Sequence, residues 1–134
     1  MKVEAVTNSL LANDSAIGAI VATEIYPVVA PEKCVERTAY VVYSTISNVP
    51  QRTIDAAAAF KMFKARVQVT CAANEYPVLK SLAQAVRNAI NGKAGTITGT
   101  KVVVAVLANE GPEGYDSGAK KFVQPLDFFI TYHE

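Results

Sequence analysis

The most constraining stretch of the chain runs from Met62 to Gly92, MFKARVQVTCAANEYPVLKSLAQAVRNAING, where two hydrophobic periods follow one another. Phe63, Ala65, Val67, Val69 and Cys71 alternate with Lys64, Arg66, Gln68 and Thr70, the two-residue repeat of a strand with one apolar and one polar face. The repeat then lengthens. Leu79, Leu82, Ala83, Val86 and Ile90 recur at helical spacing, with Lys80, Gln84, Arg87, Asn88 and Asn91 on the opposite side. Asn74 carries a side-chain oxygen able to accept a first-turn N–H and so cap the helix. Glu75 suits the positive end of the helix dipole. Pro77 falls in the first turn, where a missing N–H costs little, and Gly92 supplies a stop. The simplest packing lays the helix stripe on the apolar strand face, and that contact is expected to be the core.

Around it the remaining segments read in order. Residues 2–12 form a short amphipathic helix with Val3, Val6, Leu10 and Leu11 on one face, and Asp14 and Ser15 can cap a further turn over 16–20. Ile25, Tyr26 and Pro27 read as a short strand meeting a proline stop. Residues 38–48, TAYVVYSTISN, are β-branched and aromatic and read as a strand closed by Val49-Pro50; neither of its faces is fully polar. Residues 50–60 are a connection of open type. KAGTITGT, residues 93–100, holds a turn at each end and one short strand near 96–98.

KVVVAVL, residues 101–107, is an unbroken apolar strand, a pattern that implies burial on both faces. Residues 109–119, NEGPEGYDSGA, carry three glycines, a proline and three acids and read as a loop. Residues 120–133 form the last strand, with Pro125 pointing to an edge position or a bulge. The fold class expected is α+β, a mostly antiparallel sheet with helices packed on one face, in the order α-β-β-β-α-β-β, as one domain over 1–134.

A chain of 134 residues can bury a core of its own. With 13 basic and 12 acidic residues it has no basic excess of the kind a nucleic-acid-binding domain carries. Its charged fraction of 19% lies below the usual ~25%, which hints at surface covered by other subunits. The two cysteines, Cys34 and Cys71, and the one histidine, His133, are too few for a structural zinc site. The first residues lack the apolar run of a secretory leader, and no apolar run approaches the ~20 residues that span a bilayer, so a soluble protein of a reducing cytoplasm is expected.

Catalytic chemistry is hard to find. Cys71 with His133 is the one pair available for thiol chemistry, yet Cys71 falls on the apolar strand face, where a core role is expected. Glu110, Glu113 and Asp116 share one glycine-rich segment but lack the ligand spacing of an EF-hand loop. Gly92, Gly95 and Gly99 are followed by no lysine-serine pair opening a helix, so they make no phosphate loop. Lys64 and Arg66 could join Lys120 and Lys121 in a small basic patch if their strands are neighbours. No enzyme activity and no cofactor are expected.

The order of an N-terminal helix, Ile25-Tyr26-Pro27, "AYVVYSTIS", "FKARVQVTCAA", the helix "YPVLKSLAQAVRNAINGK", a variable loop and the closing "FVQPLDFFITY" resembles the small tail-completion, or tail-terminator, proteins of long-tailed bacteriophages. The resemblance covers nearly the whole chain. It implies a virion structural protein that forms a homo-oligomeric ring, commonly a hexamer, on the head-proximal end of the tail tube. Such a ring ends tube polymerisation and offers the joining surface for the head-tail connector protein. It further implies a place in the virion tail, assembly in the host bacterial cytoplasm, no cofactor, and DNA passing through the lumen without specific binding. Arg52 and Asp55 on one connection, and Glu110, Glu113 and Asp116 on another, are the candidate interface or lumen-facing residues. A head–tail connector or neck subunit, and a small α+β ligand-binding domain, are the alternative readings.

Overall fold

The computed structural model describes residues 2–21, 24–28, 38–51, 62–118 and 120–133. In chain order the elements are α1 (Lys2–Ala12), α2 (Ser15–Val21), β1 (Ile25–Pro27), β2 (Ala39–Gln51), β3 (Met62–Ala73), α3 (Tyr76–Ile90), β4 (Gly95–Ile97), β5 (Thr100–Glu110), β6 (Gly114–Asp116) and β7 (Lys121–His133). The strands form one sheet in the order β1-β2-β3-β7-β5-β4, with β6 also paired to β7. Every described pairing is antiparallel except the short parallel β1–β2. This is the expected α+β architecture, and its centre is the β3–β7 ladder, which joins the two halves of the chain.

The alternation in β3 decides which face is covered. Ala65, Val67, Val69 and Cys71 are buried, and in register with them lie Ile130, Phe128, Leu126 and Gln124 of β7. Onto that layer pack Leu79, Leu82, Val86 and Ile90 of α3, Val3, Val6 and Leu11 of α1, and Ile17 and Val21 of α2. Full burial of one such side chain contributes about 1.5–3 kcal/mol. Phe128, fully buried at the centre, is the residue whose truncation to alanine would cost most, about 3–5 kcal/mol. Thr7, buried inside α1, satisfies its own hydroxyl by donating to the Val3 carbonyl at 2.8 Å. Thr45 of β2 donates to Glu4 Oε1 at 3.1 Å and ties α1 to the sheet.

The turn after α3 shapes one sheet edge. Asn91 has φ −63° and ψ 125°, and Gly92 has φ 82°, a left-handed value that favours glycine. The turn so formed lies along β5. The Gly92 N–H donates to the Ala105 carbonyl at 2.6 Å, the Ala105 N–H donates to the Lys93 carbonyl at 2.9 Å, and the Leu107 N–H donates to Asn91 Oδ1 at 2.9 Å.

Several expectations are corrected. Asn74 does not cap α3: Glu75 is the N-cap residue and no side chain bonds there. Asn74 instead accepts from the Lys121 ammonium through Oδ1 and bonds the Thr38 carbonyl through its N–H. The turn at 16–20 is a full helix, α2, because Asp14 Oδ1 accepts from the Ala16 and Ile17 N–H groups, both at 3.0 Å. Pro50 does not end β2, which runs on to Gln51 with Pro50 opposite Phe63. Residues 109–119 are not all loop: β5 reaches Glu110, and β6 pairs with β7.

Pro125 lies in a central strand, not at an edge. Its missing N–H is tolerated because β5 pairing stops at Leu126 and β6 pairing begins at Val123, leaving Pro125 between two partners. The apolar run in β5 is not buried on both faces either. Val102 and Ala105 are buried under the helices, whereas Val103, Val104 and Val106 are 42%, 36% and 40% exposed. Register shifts between Val102 and Val104 and between Leu107 and Asn109 bend this strand.

Candidate functional site

Cys71 and His133 are not brought together. Cys71 is fully buried, and burial pushes its thiol up to about 12. Cys71 pairs with Gln124 and His133 with Met62, nine residues further along β3, about 30 Å away. Among the described residues no group of three or more His, Cys, Asp or Glu could hold a metal ion. Among them also, no helix is long and apolar enough to cross a membrane. The described residues offer three surfaces to consider.

The first is the β5–β6 corner, which lies along α3 from Arg87 in its last turn to Tyr76 at its start. Glu110 closes β5 and accepts from Arg87 Nη1 at 2.7 Å. Glu113 lies 3.6 Å from Lys80 Nζ and accepts the Tyr76 hydroxyl; that bond, which holds the phenol protonated, is the main cause of the raised Tyr76 pKa, with desolvation and the Glu113 charge adding to it. Asp116 in β6 accepts the Gly118 N–H at 3.0 Å. The corner is pinned to β7 by Gly111, whose N–H donates to the Pro125 carbonyl at 2.7 Å. A Cβ on Gly111 would stand 2.5 Å from Pro125 Cγ, so only glycine allows this approach. Three rings gather there. Phe122 meets Tyr115 edge-on at 4.9 Å and Tyr76 at 5.9 Å, while Tyr115 and Tyr76 stay 55% and 45% exposed.

The second surface is the sheet face opposite the helices. Arg66 Nη2 meets Asp127 Oδ2 at 2.6 Å, and the Asp127 side chain is only 7% exposed although Arg66 is 45% exposed. Asp127 Oδ1 is buried with no hydrogen-bond partner. Lys64 Nζ stands 4.3 Å above the Phe129 ring, and the exposed Val104 and Val106 run alongside, opposite Thr131 and Phe129.

The third is an open groove of about 460 Å³ at the C-terminal end of α3, where Leu10, Ala89 and Ile97 line it together with Asn13, Asp14 and Lys93.

The structure thus places Glu110 at the end of β5, Glu113 in the connection to β6 and Asp116 in β6, and the first two are held against α3 by Arg87 and Lys80. Arg52 and Asp55, and most of the 50–60 connection, lie outside the described residues. The basic patch is not formed. Lys64 and Arg66 pair opposite Thr131 and Phe129, whereas Phe122 already pairs with Ala73, so Lys121 sits past the other end of β3. Lys121 is itself 1% exposed. Sequence reasoning missed Tyr76, Tyr115 and Phe122 as a cluster; the lone aromatic of the glycine-rich segment, Tyr115, was the available signal. It also missed the Arg66–Asp127 pair, which only the β3–β7 register reveals.

No family model matches the chain, and no curated protein matches it by sequence. Among solved structures, it is similar to a chain of the virion of a native gene transfer agent particle, at 20% identity and TM-score 0.70, over 98% of this chain and 94% of that one. A second solved chain aligns at 14% identity and TM-score 0.67, over 97% of this chain and 92% of that one. The fold is therefore shared from end to end.

Proposed function

We propose that this chain is a virion structural protein that closes the head-proximal end of a phage-type tail tube as a homo-oligomeric ring, ends tube polymerisation and presents the joining surface for the head connector. The observation that supports a virion part is the overlay of 98% of this chain on 94% of a gene transfer agent virion chain. The segment pattern from Ile25-Tyr26-Pro27 to the closing "FVQPLDFFITY" supports it independently. The sheet face with exposed Val104 and Val106 and the aromatic corner supply the two unlike surfaces that a closed ring of identical subunits needs. In this reading the protein works through contacts and turns over no substrate.

Size-exclusion chromatography with light scattering, on the chain alone and mixed with tail-tube protein, tests it, with electron microscopy of the mixture. A ring bound to one end of each tube, together with arrest of tube growth, is the expected result. Unaltered tube growth with binding only to a connector ring would favour the neck-subunit reading. A monomer that ignores tubes and retains a small molecule would favour the ligand-binding reading.

A further inference from the structure

We propose that neighbouring copies join through opposite ends of β7: the start of α3 on one copy, Glu75 and Tyr76 with Tyr115 beside them, seats on the outer sheet face of the next, over Lys101, Val104 and Val106. This inference rests on the ring reading and specifies its lateral contact.

The sheet face is apolar and basic at once. Lys101 pairs with His133 of β7, Lys64 with Thr131 and Val106 with Phe129. These β7 residues alternate along their strand, so all of them lie on the side away from the helices. Lys64, Lys101, Val104 and Val106 are exposed. Among the described residues the acid of this face is Asp127, which is covered and already held by Arg66, so it cancels neither lysine. Lys64 is placed above the Phe129 ring, and Lys101 stands on the same strand as the two valines.

The start of α3 is the complement. Glu75 is exposed, and although it is the N-cap residue its side chain makes no capping bond. It differs in this from Glu110 and Glu113, which Arg87 and Lys80 hold within their own copy. Tyr76 follows it, and Tyr76 and Tyr115 both lean on the Phe122 ring while staying half exposed. Two rings beside a carboxylate suit valines beside a lysine: ring meets methyl group, and the ammonium is drawn both to the carboxylate and to the negative ring faces. Tyrosine is also enriched among the residues that dominate interfaces.

Phe122 and Thr131 lie nine residues apart in β7, about 30 Å, and Phe122 meets α3 whereas Thr131 is on the other side of the sheet. Unlike surfaces so placed make a head-to-tail contact, the type that generates rings when the rotation closes. A two-fold dimer would need one self-complementary patch instead.

The test exchanges the charges in two variants of the full chain, Glu75→Lys and Lys101→Glu, both at exposed positions. Association is read by light scattering, alone and with tail tubes or connector rings, and folding by circular dichroism melts. Each variant alone sets like charges against each other and is expected to associate at least about 10-fold more weakly than the wild type, with an unchanged melt. Mixed one to one, the variants should recover association to within about threefold of the wild type, because opposite charges face each other at every junction when the two alternate. Variants that assemble alone like the wild type would overturn the contact and leave the ring reading standing. Variants that lose assembly and do not recover it when mixed would overturn it equally. So would a Lys101→Glu variant that self-associates normally but no longer binds tubes or connector rings, which would give the face to that partner. A wild-type chain that stays single, alone and with tubes, would remove the ring reading and this contact with it.

Discussion

Arg66 reaches Asp127 diagonally across the β3–β7 ladder: its register partner is Phe129, yet its guanidinium lies 2.6 Å from the carboxylate two pairs further along. The bond leaves Phe129 free to carry Lys64 above its ring. It also covers the carboxylate until only 7% of that side chain is exposed. A charge so shielded depends on its partner more than an exposed one does.

Arg66→Ala is expected to destabilise the fold by about 1–3 kcal/mol, because it strips the remaining partner from a covered carboxylate whose Oδ1 already has none. Asp127→Asn should cost less, since the amide removes the buried charge. Urea melts of both variants and of the double variant measure this. Equal losses for the two single variants would show that the carboxylate is solvated after all.

At Gly111, substitution by alanine forces a Cβ to 2.5 Å from Pro125 Cγ and 3.0 Å from its carbonyl oxygen. A loss of about 1–3 kcal/mol is expected from this overpacking. Gly18→Ala in α2, where nothing lies within 4 Å of the new methyl, should instead stabilise by about 0.5–1 kcal/mol through helix propensity. The contrast between the two melts is the measurement.

Asn74→Ala should weaken the protein by about 1–3 kcal/mol while the fully helical α3 signal persists, since the amide serves the buried Lys121 ammonium and not the helix end. In a Lys121→Met background the same change should cost little. A double-mutant cycle with no coupling would count against that role.

Cys71 is expected to stay unlabelled by a thiol reagent at pH 8 in the native Cys34→Ser variant and to react once the chain is unfolded. Its thiol ionises near 9.0 in the ordinary case and at about 12 when buried here. Between those values the unfolded chain has lost the proton and the native chain keeps it. Stability therefore falls as pH rises from about 9 towards 12. Alkaline melts with and without Cys71→Ala report the difference.

The core was largely legible because it rests on local periods. The alternation of Phe63 to Cys71 and the stripe of Leu79 to Ile90 each announce their own buried face, and both faces meet as expected. Pairing across the chain was not. That β3 lies against β7 depends on residues such as Val67 and Phe128, far apart in sequence, and no short window contains both. Val104 and Val106 show a second limit: an apolar run reads alike whether its own helices or another molecule cover it. Asn74 shows a third, since an amide before a helix can cap it or hold a distant lysine, and only the packed fold decides. The acids Glu110, Glu113 and Asp116 could be grouped by sequence alone, but their attachment to α3 could not, because Lys80 and Arg87 read only as its solvated side.

Asn91 has one more effect. By bonding Leu107, while Gly92 and Lys93 bond Ala105, it leaves those backbone groups nothing to offer an incoming strand. Along that stretch the sheet cannot be lengthened ribbon by ribbon into a fibre. Any contact between copies along that stretch has to be made by side chains rather than by an added strand.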